Sequence, residues 1–189
     1  MSKETGSGLY ALWEKIAADQ GLFLIQPLFR GARALRPAHV LTRKRLPSIA
    51  DTDWLLAHYK TLAGVFEKQA SWLVSAVEML HGREPALDRI ERQSLGQKLD
   101  CLCKDPGLAV LARGIDRVVR NTIAHENVHL LPREEKVRFR DRAEEKTLTL
   151  TGLVGCVREA VAATNAVMLM PLLLVDEQLR IASRVRRSI

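Results

Sequence analysis

Between Trp54 and Leu80 apolar residues recur at helical spacing: Trp54, Leu55, Tyr59, Leu62, Val65, Phe66, Ala70, Leu73, Val77 and Leu80 share one broad face. A period near 3.6 sustained over that length makes a long amphipathic helix, and so wide an apolar face must be covered by other elements. Ser48 to Asp53 offers several N-cap candidates for its start, and Gly82 and Pro85 mark the turn behind it. The chain is therefore expected to be mainly α, built around this helix.

The flanking segments extend the pattern. Ala86 to Lys104 reads as a second helix with Leu87, Ile90, Leu95, Leu99 and Leu102 apolar. Asp105-Pro106-Gly107 stops one helix and starts another, with aspartate at the cap and proline at the first helical position. That third helix is expected to run from near Pro106 to just before Pro132. Beyond Pro132 the period changes. Val137 and Phe139 alternate with charged residues and Thr147 to Thr151 alternates strictly, so a small β-hairpin is expected, resting on a helical layer. A last helix, about Gly152 to Met170, carries Leu153, Val154, Val157, Val161, Thr164 and Met168; Pro171 separates it from a final segment with Arg180, Arg184, Arg186 and Arg187. At 189 residues, 47% hydrophobic, the chain can bury one ordinary core. Residues 1–8 read as a disordered start or expression remnant, 9–50 as an N-terminal helix (Leu9 to Gln20) with a basic connector, and 51–189 as the helical domain.

Charge narrows the partners. A net charge of +7 and a pI near 9.7 favour phosphate-rich or carboxylate-rich partners, nucleic acid first and an acidic protein second. Gly21 to Ala50 holds Arg30, Arg33, Arg36, Arg43, Lys44 and Arg45 without one acidic residue. It reads either as a solvated loop or as a phosphate-gripping arm in which Arg43, Lys44 and Arg45 bind RNA. Cys101, Cys103 and Cys156 match neither a disulfide framework nor a four-ligand zinc site, which points to a reducing, cytoplasmic setting. Met1 to Gly8 is polar and glycine-rich with no apolar run after its charges, so no signal peptide is expected there. The most apolar stretch, Val167 to Val175, is interrupted by Pro171 and falls short of the roughly 20 residues a membrane span needs, so no membrane association is expected.

Arg120-Asn121-Thr122-Ile123-Ala124-His125-Glu126-Asn127-Val128-His129 holds two overlapping signatures. Forward from Arg120 it is R-N-x-x-x-H, suited to metal-free phosphodiester chemistry. From His125 it is H-E-x-x-H, which on a helix puts two zinc ligands on one face beside a glutamate base. On a helical wheel with Ile115 as origin, Leu108, Leu111, Ala112, Val118, Val119 and Thr122 fall within about 60° and form a buried stripe. Arg113, Arg117, Arg120, Asn121 and Ala124 gather opposite, and His125 lies at the boundary. Arg120 and His125 point about 140° apart, yet the long arginine side chain lets both reach one groove. The zinc reading needs a third ligand, for which Glu159 is the best-placed candidate, since no histidine follows His129. Against it stand the nearness of His129 to Pro132, a Glu126 directed at the apolar stripe, and a surrounding of arginines that repels Zn²⁺.

Arg120-Asn121-x-x-Ala124-His125, with Ser94-Leu95-Gly96 on a preceding helix and a hairpin and helix behind, resembles the HEPN superfamily, over roughly Asp51 to Met170. The resemblance implies a helical bundle with a small β-hairpin insertion, and a homodimer whose facing motif helices build a composite ribonuclease site without metal or cofactor. In that site Arg120 would stabilise charge on the scissile phosphate, His125 would transfer protons, and Asn121 would orient phosphate or imidazole, with Arg113 and Arg117 as further RNA contacts. Cleavage would leave a 2′,3′-cyclic phosphate and a 5′-hydroxyl. It further implies a toxin or antiviral-defence role and an antitoxin or regulatory partner. Asn127 stands where members paired with a nucleotidyltransferase antitoxin carry tyrosine, so regulation through that tyrosine is not expected. A non-catalytic dimerisation or partner-binding module is the third reading, and the 5% aromatic content gives few platforms for stacking bases.

Overall fold

The computed structural model describes residues 48–142 and 144–186, with the backbone alone for Leu80 and residues 171–186. The expected helix Leu9 to Gln20 and the basic connector as far as residue 47, including Arg43, Lys44 and Arg45, lie outside the described residues.

A 3₁₀ turn, Ile49–Asp51, leads into α1, Thr52–Leu80. Ser48 fixes that entrance, donating its N–H and its hydroxyl to Asp51 Oδ2 at 2.8 and 2.9 Å. The long periodic run is thus a single 29-residue helix, as its spacing predicts. It stops at a Schellman motif. Arg83 N–H donates to the Glu78 carbonyl and Gly82 N–H to that of Met79, both at 2.9 Å, with Gly82 left-handed at φ 71°.

The predicted helix over Ala86 to Lys104 is two short ones, α2 (Leu87–Arg92) and α3 (Leu95–Leu102). Ser94 divides them as a capping box: its N–H donates to Gln97 Oε1 at 2.8 Å, and Gln97 N–H to Ser94 Oγ at 3.3 Å. Asp105 caps α4 (Pro106–Arg113) with Oδ1 accepting from Gly107 and Leu108 N–H, as its sequence predicts.

The expected motif helix does not run on to Pro132. It breaks at Gly114, restarts at Asp116 as α5 (Arg117–Ala124), and ends seven residues earlier than predicted from Pro132. Gly114 marks a close approach: a Cβ there would lie 2.5 Å from Ala163 Cβ and 3.1 Å from the Glu159 carbonyl. Despite the break, Ala112, Ile115, Val119 and Thr122 are buried, with Leu108, Leu111 and Val118 packed partly buried against the same core.

The expected hairpin is a three-stranded antiparallel sheet in the order β1 (Val128–Leu131), β2 (Lys136–Asp141), β3 (Glu144–Thr149). Alternation at Val137 and Phe139 gives β2 its buried face, both residues being fully inaccessible. β1 pairs Val128 with Phe139 and His129 with Arg138. The final helix, α6, spans Leu150–Arg186 and passes through Pro171 without ending. Its window Leu150–Met170 is long and apolar enough to cross a membrane by length and composition, a longer and earlier stretch than Val167 to Val175. Its Leu153, Val157, Ala160 and Val167 are buried with Tyr59, Leu62, Phe66 and Leu73 of α1 in one core, and Thr164 Oγ1 donates to the Leu62 carbonyl at 3.4 Å. The described chain is therefore mainly helical, two long helices clasping shorter ones and a small sheet.

Candidate functional site

α5 starts on a fixed point. Asp116 Oδ1 accepts from Val119 N–H at 2.9 Å and so caps the helix, while Oδ2 pairs with Lys146 of β3. Its backbone is held twice by Tyr59 of α1. Asp116 N–H donates to Tyr59 Oη at 2.7 Å, and that hydroxyl donates to the Asp116 carbonyl at 3.1 Å. Burial, then the charge of Asp116, pushes the Tyr59 hydroxyl far above its usual range, so it stays a neutral donor and acceptor. The hydrogen bond to Asp116 raises the Lys146 ammonium in turn.

One turn on, α5 presents the motif. Arg120 donates through one terminal nitrogen to Glu67 Oε2 of α1 at 2.8 Å and through the other to Asn121 Oδ1 at 3.1 Å. Asn121 Nδ2 donates to Asp141 Oδ2, at the end of β2, at 2.8 Å. Both ends of Asn121 are thus engaged, and the group it orients is the Arg120 guanidinium. Glu67 is held from behind by Lys98 of α3, whose ammonium donates to the Glu67 carbonyl at 3.2 Å. Lys98 is only 3% exposed, and burial lowers its pKa against the opposing pull of Glu67 and Glu91. α1, α3 and β2 thus reach the Arg120 cluster of α5: Glu67 directly, Lys98 through the Glu67 carbonyl and Asp141 through Asn121.

His125 is the C-cap of α5, exposed, and among the described residues its ring has no hydrogen-bond partner. α5 closes with the same motif as α1. Asn127 N–H donates to the Thr122 carbonyl at 3.0 Å and Glu126 N–H to that of Ile123 at 3.4 Å, with Glu126 left-handed at φ 58°. Arg117 is exposed on the first turn, 3.9 Å from Asp100, and Arg113 is exposed at the end of α4. The structure thus brings Arg120, Asn121 and His125 onto one helix and its cap, with Arg117 on that helix's first turn.

The H-E-x-x-H reading loses its geometry. Helical i, i+4 spacing requires a helix through His129, but the helix ends at Ala124 and His129 is in β1. Glu126 faces solvent and not the apolar stripe. Glu159 acts electrostatically on Tyr59 and Lys146, around the start of α5 and away from the histidines at its end. Among the described residues no three His, Cys, Asp or Glu side chains gather closely enough to hold a metal ion.

Glu67, Lys98 and Asp141 were not candidates from sequence. Glu67 and Asp141 reach the motif across 53 and 20 residues, and no local pattern marks them. Lys98 did leave a trace, a lysine between Leu95 and Leu99 on the apolar side of α3. Comparison with family models, curated proteins and solved structures finds no match for this chain.

Proposed function

We propose that this chain is a metal-independent endoribonuclease of HEPN type, working as a homodimer in which two α5 ends share one site. The observation that carries the reading is the pairing of a preset guanidinium with a free imidazole: Arg120 is oriented by Glu67 and Asn121 one turn before the exposed His125. Of the five guanidinium N–H donors two are used, and those left suit the non-bridging oxygens of a phosphodiester. The ribose 2′-oxygen attacks phosphorus as its proton leaves to a base. The P–O5′ bond breaks as the 5′-oxygen takes a proton from an acid, giving a 2′,3′-cyclic phosphate and a 5′-hydroxyl. Those two transfers call for two proton carriers, and each protomer contributes one His125. Arg113 and Arg117 extend the positive surface along the backbone of the RNA. Such an enzyme has to be restrained in its host cell, which fits a toxin or antiviral-defence role with a regulatory protein partner.

A specific observation favours the second reading, a non-catalytic binding module: the Arg120 charge is already met by Glu67. One experiment separates the two. RNA is incubated with the protein in excess EDTA beside Arg120→Ala and His125→Ala variants, and product ends are mapped. The ribonuclease reading expects EDTA-resistant cleavage with cyclic phosphate ends, reduced about 10²-fold or more in each variant. Cleavage that survives His125→Ala overturns the assignment of the base. Absence of cleavage by a dimeric, RNA-binding protein establishes the binding module instead.

A further inference from the structure

Arg120 reaches the surface together with the carboxylate that holds it. Arg120 and Glu67, 2.8 Å apart, have side chains 29% and 26% exposed, so both present atoms there. One terminal nitrogen of Arg120 is on Glu67 Oε2 and the other on Asn121 Oδ1, which leaves the rest of its five N–H donors for a phosphate. A phosphate and a carboxylate on one guanidinium stand roughly 6 Å apart, close enough for the charge of one to act on the other. Of the neighbouring charges, Lys98 is 3% exposed and turned to the Glu67 carbonyl, Asp141 is turned to Asn121, and Arg117 lies 3.9 Å from Asp100. Glu67 is therefore the charged group that shares the Arg120 guanidinium with whatever binds it.

We propose that Glu67 is a charge filter: it admits the single negative charge of an internal phosphodiester to Arg120 and disfavours the second charge of a terminal phosphate. The inference rests on the reading of Arg120 as the phosphate ligand of the ribonuclease site, and deepens it by naming which phosphates are taken. A phosphodiester carries one charge, whereas a terminal phosphomonoester carries about 1.5 to 2 at neutral pH, its second pKa lying near 6. On an arginine without a carboxylate the extra charge strengthens binding. Beside Glu67 it is repelled. Even in a water-like dielectric, a unit of charge roughly 6 Å from a carboxylate is disfavoured about threefold, and more where the site excludes water. The substrate is thus an internal linkage, and chain ends that carry a phosphate compete poorly for the site.

The test is an NMR titration of the intact protein at pH 8, where an ordinary imidazole is largely neutral, with two probes that lack a 2′-hydroxyl and cannot be cleaved. One is 2′-deoxyadenosine 3′-phosphate, a dianion at that pH; the other is its methyl ester, a monoanion. The wild-type protein is expected to bind the methyl ester at least about threefold more tightly, with shifts at Arg120 and Asn121. Glu67→Gln keeps an oxygen for the Arg120 N–H and removes the charge, and there the order is expected to reverse. A merely structural role for Glu67 would weaken both probes alike. Should Glu67→Gln fail to fold, the wild-type comparison decides, because the two probes differ in charge by one methyl group. A dianion bound by the wild type as tightly as the methyl ester, or a ratio unchanged in Glu67→Gln, overturns the proposal. So does the absence of binding by both probes. RNA cleavage in EDTA is followed on the same samples. Cleavage without discrimination between the probes sinks the filter and leaves the ribonuclease; discrimination without cleavage upholds the filter in a binding module.

Discussion

α1 and α5 end in the same hydrogen-bonded motif, but α1 places Gly82 in the left-handed position and α5 places Glu126 there. Glycine adopts that conformation freely, whereas a residue with a Cβ pays for it with about 1 kcal/mol or more. The α1 end is the one a stability argument would write. The α5 end carries the expense directly after His125, and it holds because the other end of α5 is fixed by Tyr59, Lys146 and the Asp116 cap. A short helix anchored firmly at one end can tolerate an unfavourable residue at the other, where the candidate site lies.

The largest test removes the anchor. Asp116→Ala loses the cap and the partner of Lys146, and should destabilise the protein by about 2 kcal/mol in denaturant unfolding. In hydrogen exchange the Asn127 amide should then open before the Arg83 amide; equal loss of protection at both would break the contrast. The anchor also has a pH signature. Tyr59 and Lys146 both have folded pKa values raised above the ordinary 10.0 and 10.5, so their contribution is complete below about pH 10 and is lost as pH rises beyond. Alkaline unfolding of Lys146→Met should accordingly be flatter above pH 10 than that of the parent protein.

Smaller effects address the two ends directly. Gly82→Ala should cost about 1 kcal/mol through backbone conformation alone, since a Cβ there meets nothing within 4 Å. Glu126→Gly should do the reverse, raising stability by about 0.5–1 kcal/mol. If Glu126→Gly is instead destabilising, its side chain has a role that the geometry of the turn conceals. Smallest of all, His125→Ala and His129→Ala should each shift stability by less than about 0.5 kcal/mol, because both side chains are exposed. A cost of several kcal/mol at His125 would make it a structural residue.

The same contrast explains what the amino-acid order made legible. α1 could be read from periodicity and Gly82, and α4 from Asp105 and Pro106, because each signal is local and chemically specific. β2 and β3 followed from alternation at Val137, Phe139 and Thr147 to Thr151, although the last two residues of that run, Leu150 and Thr151, already belong to α6. The end of α5 could not be read, since a glutamate stands where glycine would announce the stop, and the first proline afterwards is Pro132. Pro171 misled in the opposite direction, as α6 passes through it. The break at Ser94 was legible in principle, because Ser94 and Gln97 carry the spacing of a capping box. In the candidate site, Arg120, Asn121 and His125 stood out as a local motif, but Glu67, Lys98 and Asp141 arrive by tertiary packing and could not.

Gly114 gives this arrangement a mechanical side. The backbone there rests against Ala163 and Glu159 of α6 with no side chain between to absorb movement, and close-packed interiors pass displacement on. Two residues later Asp116 begins α5. Any side chain at position 114 would have to push α6 and the start of α5 apart, so the seating of the Arg120 helix depends on the absence of a Cβ there.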